Sequence, residues 1–182
     1  HILKVLDSTP NDINLRYAAL FHDIGKPKVF FQDEKGIGHF YGHSEVSTYI
    51  FESFANKYRM PNVNKELIRK LILYHERVLS NKSIKMIRFF QRYGTDEYEI
   101  KLLFSLKRAD ALGQNKKYIN RLSVYDDLEN KYLRYLRSRP VIRIKDLDID
   151  GYDLIELGIY DKDIGIMLRH ILDKVINGEL IS

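Results

Sequence analysis

Apolar residues recur at helical spacing along most of this chain, and the breaks between the runs carry turn chemistry. Ile2, Leu3, Val5 and Leu6 begin an apolar face that Asp7-Ser-Thr-Pro-Asn-Asp12 cuts. A second helix is predicted from about Leu15 to Asp23, ended by Gly25 and Pro27. Between Val29 and Phe40 the pattern changes to β-favouring Val29-Phe-Phe31, a turn-like Asp33-Glu-Lys-Gly36, and Ile37-Gly-His-Phe40, which predicts a short hairpin or ordered loop. Helical spacing resumes from Ser44 to Tyr58 and breaks at Pro61. Further helices are predicted at 64–77, 83–93, 96–112 and 118–138, the last closed by Pro140. Val141-Ile-Arg-Ile144 reads as a connector, followed by shorter helices near 151–157 and 161–177. The expected class is all-α: a helical bundle over 1–139 and a small C-terminal helical unit over 140–182.

Composition narrows the function. With 182 residues, 45% hydrophobic and 30% charged, the chain has the make-up of a folded globular protein rather than a disordered one. The longest apolar stretches, such as Tyr17–Phe21, are far too short to span a membrane. Cysteine is absent, which excludes disulfides, zinc fingers and thiol catalysis and is compatible with a cytoplasmic location. The net charge of +5 is unevenly spread. Residues 57–92 hold ten Lys/Arg against two Asp/Glu, and 116–145 hold nine against three, whereas 146–182 hold three against nine. Such blocks fit a surface that meets a phosphate backbone, with Lys82, Lys85 and Arg88 as candidate RNA contacts, or else ordinary solvated helix faces. The 13 Tyr and 9 Phe invite a base-stacking role, but Tyr132, Leu133 and Leu136 follow helical spacing, so most rings are expected in the core.

Histidine placement points to chemistry. Leu15, Ala19 and His22 share one helical face, so the His22-Asp23 pair is aimed at packed residues. Burying such a pair without compensation is costly, and a divalent metal would satisfy both side chains. A core histidine bonded to a backbone carbonyl is the alternative. Asp110 follows Leu103 and Leu106 on another apolar face, where it would need a metal or an arginine such as Arg16 or Arg88. His170 lies in the acidic tail unit and reads as structural.

Taken in order, His1, Phe21-His-Asp-Ile-Gly-Lys-Pro27, His39-Phe-Tyr-Gly-His43 and Arg108-Ala-Asp-Ala111 resemble the HD superfamily of metal-dependent phosphohydrolases. The closer likeness is to the HD region of bacterial CCA-adding enzymes and their poly(A) polymerase-like relatives, supported by Asp110-Ala-Leu-Gly-Gln-Asn115, Gly151-Tyr-Asp-Leu-Ile-Glu-Leu-Gly158 and Ile164-Gly-Ile-Met-Leu168. No Gly-Ser … Asp-x-Asp nucleotidyltransferase motif occurs, so nucleotide addition cannot be assigned to this chain.

The resemblance implies a primary metal set of His1, His22, Asp23 and Asp110. That donor mix suits Mn, Fe, Ni, Co or Mg better than a closed zinc site. Asp23 would orient the attacking water or take its proton, and Lys26, one turn on, would hold a substrate phosphate or simply face solvent. His43 and His75 resemble the extra histidines of two-metal HD proteins, with phosphate binding or a satisfied polar core as the alternatives. His39 would contact phosphate or lie on a solvent-facing hairpin. The expected function is hydrolysis of nucleotide or RNA-derived phosphoesters, 2′,3′-cyclic phosphates among them. The alternative is a non-catalytic tRNA-binding body of a nucleotidyltransferase-like protein.

Overall fold

A computed structural model describes residues 1–114, 118, 120–138 and 140–181. Asn115, Lys116, Lys117 and Arg139 of the motifs and basic block above, and Ile119 near the expected start of the last long helix, lie outside the described residues. The chain is mostly helical. Helices α1 (Ile2–Asp7), α2 (Ile13–Phe21) and α3 (Lys26–Val29) lead into a two-stranded antiparallel hairpin, β1 (Phe31–Gln32) and β2 (Gly38–His39). There follow α4 (His43–Lys57), α5 (Asn62–Tyr74), α6 (Ser83–Tyr93), α7 (Glu97–Gly113), α8 (Arg121–Arg137), α9 (Gly151–Glu156) and α10 (Lys162–Asn177). By contact the described residues form two compact units interleaved in sequence: 1–78 with 96–129, and 79–95 with 130–182.

In the first unit, α2 packs against α5, α4, α1 and α7, so it is the central helix. Leu15, Ala18, Phe51, Ile68, Leu71, Leu103 and Phe104 are fully buried there. Each such large side chain contributes roughly 1.5–3 kcal/mol of burial energy. Start positions are set by caps. Asp12 accepts from the Leu15 N–H at 2.9 Å to begin α2, and Asp96 accepts from the Tyr98 and Glu99 N–H groups to begin α7.

Several element ends differ from the periodicity: the helix predicted at 64–77 spans Asn62–Tyr74, and the one predicted from 118 begins at Arg121. The predicted second helix stops at Phe21, and His22 and Asp23 lie in the turn beyond it. Pro27, expected only to terminate, sits in the first turn of the short α3. A proline is well tolerated there because its missing N–H has no helical partner to lose.

In the second unit, Phe89 and Phe90 of α6 pack against Tyr132 of α8, whose hydroxyl donates to the Ser80 carbonyl at 3.1 Å. Helix α10 packs on α9, α6 and a 3₁₀ turn at Ile144–Asp146. Among the described residues no helix is long and apolar enough to cross a membrane. Tyr132 and Leu133 are buried, as their spacing implies. The expectation that most rings are core is not met: Phe21, Phe51, Phe89, Phe90, Tyr93, Phe104 and Tyr132 are buried, whereas Tyr49, Tyr58, Tyr98, Tyr152, Tyr160 and the hairpin's Phe30, Phe31, Phe40 and Tyr41 are exposed. The hairpin rings are exposed because a two-stranded hairpin has two faces and little to cover them.

Candidate metal centre

All the histidines of the first unit except His39 gather around Asp23, and local geometry fixes how each presents itself. His22 follows the last residue of α2, and its Nδ1 donates to the Ala19 carbonyl at 2.8 Å. His75 caps α5 in the same manner, with Nδ1 donating to the Ile72 carbonyl at 2.7 Å. Helix C-termini leave carbonyls without helical partners, so a histidine at the cap finds an acceptor three residues back. His43 opens α4 after Gly42, whose φ of +75° favours glycine, and its Nδ1 donates to the Phe40 carbonyl at 3.0 Å. His1, at the start of α1, donates from Nδ1 to the Gly113 carbonyl of α7 at 3.2 Å. That approach needs Gly113, because a Cβ there would lie 2.5 Å from the Val5 side chain.

A carbonyl only accepts, so all four rings carry their proton on Nδ1. In the neutral form each then offers a lone pair at Nε2. Yet the Nε2 atoms of His1 and His22 lie 3.4 Å apart, and those of His43 and His75 lie 3.3 Å apart. Facing lone pairs repel unless a proton or a metal ion lies between them.

The carboxylates complete two pockets that share Asp23. In the first, His1 Nε2 lies 3.2 Å from Asp23 Oδ2 and 3.0 Å from Asp110 Oδ1. His22 Nε2 lies 3.4 and 3.5 Å from the same two oxygens. In the second, Asp23 turns its other oxygen, Oδ1, to His43 Nε2 at 3.2 Å and His75 Nε2 at 3.5 Å. Within each set one donor atom per residue lies within 4.8 Å of all the others, a span that fits a metal ion. Asp23 Oδ1 is itself buried with no well-directed hydrogen bond. A buried carboxylate oxygen without a donor is expensive. The donor set and this orphaned oxygen both fit a divalent cation.

Electrostatics agree. Burial disfavours a charged His22, but Asp110 and Asp23 outweigh it and push its pKa up to about 9. Burial would raise the pKa of Asp23, but His22, His43 and His75 hold it well below the usual carboxylate range. Asp110 is lowered for the same reason, chiefly by His22. His43 is raised by Asp23 against its burial, whereas for His75 burial wins and its pKa falls. The cluster thus keeps both carboxylates ionised and draws in positive charge.

Lys26 Nζ lies 2.6 Å from Asp23 Oδ2, so it stands beside the centre. Asp110 faces His1 and His22 rather than an arginine, and it also accepts from Gln114 Nε2 at 2.8 Å. His39 lies on the hairpin with Nε2 bonded to Asp33 Oδ2 at 2.9 Å. Lys82, Lys85 and Arg88 are exposed at the start and along one face of α6 in the second unit, and His170 is exposed on α10.

The sequence did not reveal the supporting contacts of Gly25, Ser47 and Lys107. The Gly25 N–H donates to Ser47 Oγ at 2.9 Å and pins the turn after Asp23 to α4. Lys107, 4% exposed, donates from Nζ to the carbonyls of His75 and Arg77 at 2.6 and 2.8 Å. Each is a glycine, serine or lysine of ordinary local context, and only the packing of distant elements gives it a role.

The HD domain family model matches residues 2–114, well over half of the chain, and the chain belongs to that family. It is 25% identical over 130 residues to an A-adding tRNA nucleotidyltransferase of Deinococcus radiodurans, covering 71% of this chain and 30% of that protein. It is 34% identical over 93 residues to a CC-adding tRNA nucleotidyltransferase of Thermus thermophilus, covering 50% of this chain and 21% of that protein. The similarity is distant and partial, and this chain spans less than a third of either relative. No solved structure matches the chain.

Proposed function

We propose that this chain is a metal-dependent phosphohydrolase acting on nucleotide or RNA-derived phosphoesters, 2′,3′-cyclic phosphates among them. The observation that supports it best is the convergence of four Nδ1-locked imidazoles on Asp23 and Asp110. His1, His22, Asp23 and Asp110 would hold one divalent ion of the Mn, Fe, Ni, Co or Mg type, and His43 and His75 a second ion or the substrate phosphate. When bound, such an ion would supply Lewis-acid polarisation of a phosphoryl oxygen and lower the pKa of a water. Asp23, kept ionised by its imidazole neighbours, orients that water by accepting its hydrogen bond. Lys26 places a positive charge beside Asp23, where it can pair with an incoming phosphate.

The test is Asp23→Asn, which keeps volume and loses charge. Turnover of a 2′,3′-cyclic nucleotide, with Mn, Ni, Co and Mg supplied separately, should fall by about two orders of magnitude or more. Activity that survives the substitution would refute the role given to Asp23.

A second reading is supported by the tRNA nucleotidyltransferase similarity and the exposed Lys82, Lys85 and Arg88. There the chain contributes a tRNA-binding body. RNA affinity would then fall linearly with salt on a log–log plot, with a slope of roughly −0.7 per phosphate contacted on single strands. Reversing the three cations to Glu would flatten it. No hydrolysis with any metal, alongside salt-dependent RNA binding, would favour this second reading over the first.

A further inference from the structure

The hairpin that joins α3 to α4 carries more aromatic surface than its own folding uses. Phe31 and His39 are directly paired across β1 and β2, and Tyr41, two residues on from His39, falls on the same face. Their three rings form a triangle, with His39 stacked on Phe31 at 5.3 Å and 29° and on Tyr41 at 5.1 Å and 23°. The hydrogen bond from His39 Nε2 to Asp33 Oδ2 holds the middle ring in place. Phe31 remains 47% exposed and Tyr41 72% exposed.

On the opposite face Phe30 packs on Phe40 at 5.3 Å, its ring fills the space a Cβ at Gly38 would need, and Lys26 Nζ lies over Phe40. Both faces present rings to solvent, Phe30 and Phe40 keeping 51% and 38% of their surface. What sets the first face apart is a cluster of three rings whose histidine is held by Asp33.

The hairpin is tied to the candidate metal centre through Phe40, on the face opposite these three rings. Phe40, between His39 and Tyr41, gives its carbonyl to His43 Nδ1, and Lys26 bridges from the Phe40 ring to Asp23. Lys28 and Lys35 add exposed positive charge around the hairpin, with Glu34 the exposed acid at its tip. A planar aromatic group joined to an anion suits this combination of ring surface and flanking lysines.

We propose that the Phe31–His39–Tyr41 face is a nucleobase platform, seating a base of a nucleotide or single-stranded RNA end. That the same nucleotide serves the Asp23 centre rests on the phosphohydrolase reading, whereas the stacking does not. Every base offers a π face to such a surface, so it selects nucleotide substrates over small phosphoesters without reading sequence.

The test is fluorescence anisotropy of a labelled short single-stranded RNA and of an abasic strand of equal length, with chelator present so that nothing turns over. Wild-type protein should bind the base-bearing strand more tightly than the abasic one. Tyr41→Ala should weaken the base-bearing strand about ten-fold, the scale of a lost stack, and leave the abasic strand unmoved, while Tyr41→Phe keeps the difference. An unchanged melting temperature shows that the variants are folded. Equal affinity of wild-type protein for both strands, or an equal effect of Tyr41→Ala on both, would overturn the proposal. Self-association that Tyr41→Ala abolishes, with no preference for bases, would overturn it too and mark a protein-binding face. Because binding is read without turnover, a wild-type protein that stacks bases but hydrolyses no phosphoester supports the platform while removing the hydrolase reading.

Discussion

In the first pocket of the candidate centre the side chain of His1 keeps 30% of its surface exposed and that of Asp110 keeps 21%, whereas in the second those of His43, His75 and Asp23 keep 6, 3 and 4%. Both pockets use the same device, an imidazole locked by a carbonyl at Nδ1 with Nε2 facing a carboxylate. They differ in how the chain assembles them. The first joins the start of α1, the turn after α2 and the last part of α7, and it stays partly open. The second joins the start of α4 to the end of α5, two helices that pack together, and it is closed. Asp23 belongs to both, one oxygen each.

The strongest way to break this comparison is Asp23→Ala. Removing the shared carboxylate should empty both pockets of metal and leave His43 and His75 facing each other, which elemental analysis would show as no bound divalent ion. Metal content equal to wild type would mean that Asp23 bridges nothing. His22→Ala should act on the first pocket and spare the second, and His75→Ala the reverse. Equal losses from both would merge the pockets into one site.

Two glycine substitutions sharpen the contrast without touching a donor. A Cβ at Gly113 would press on the Val5 side chain at 2.5 Å and on His1 Nδ1 at 3.3 Å, displacing the first pocket. At Gly25 it would meet the His43 carbonyl at 2.6 Å and the Ser47 nitrogen at 2.7 Å, displacing the second. Overpacking of this kind costs about 1–3 kcal/mol of stability, and lost support for a ligand weakens metal binding about 10–100-fold. Urea denaturation and metal titration of Gly113→Ala and Gly25→Ala would measure both. Wild-type stability in either variant would show that the approach is not tight.

How far these pockets were legible in the sequence follows from the same contrast. The inward aim of His22 could be read from Leu15 and Ala19, two turns and one turn before it, and the cost of burying Asp110 from Leu103 and Leu106. Spacing within one element carries that information. It does not say whether Asp110 meets a metal or an arginine, because that depends on where α1 brings His1. His43 and His75 stand 32 residues apart, and nothing local ties them to Asp23. The exposed rings of the hairpin escaped for a related reason. Composition counts aromatics, while strand pairing decides which face each one takes. The helices themselves were legible almost throughout, except at Pro27, where a residue that ends one helix also begins another.

The smallest expected effect is in the pH dependence of stability. In the folded, metal-free chain the pKa of His22 is raised from its ordinary 6.5 to about 9. Its stabilising charge is therefore fully present below about pH 6.5 and is lost as pH rises through about 9. The melting temperature of metal-free protein should fall across that window, and the fall should shrink in His22→Ala. With metal bound the trend should reverse, because protons compete with the ion for Nε2. Identical pH profiles with and without metal would separate His22 from the site.

The most direct measurement is calorimetric titration of the metal-free protein with Mn²⁺ or Ni²⁺ at neutral pH, in buffers of different ionisation heat. Carbonyl-locked imidazoles around two ionised carboxylates predict binding that releases protons, as His22 gives up its own in favour of the ion, and His22→Ala should remove that share of it. No binding, or binding with the same proton release in His22→Ala, would contradict the claim that these side chains form a metal centre.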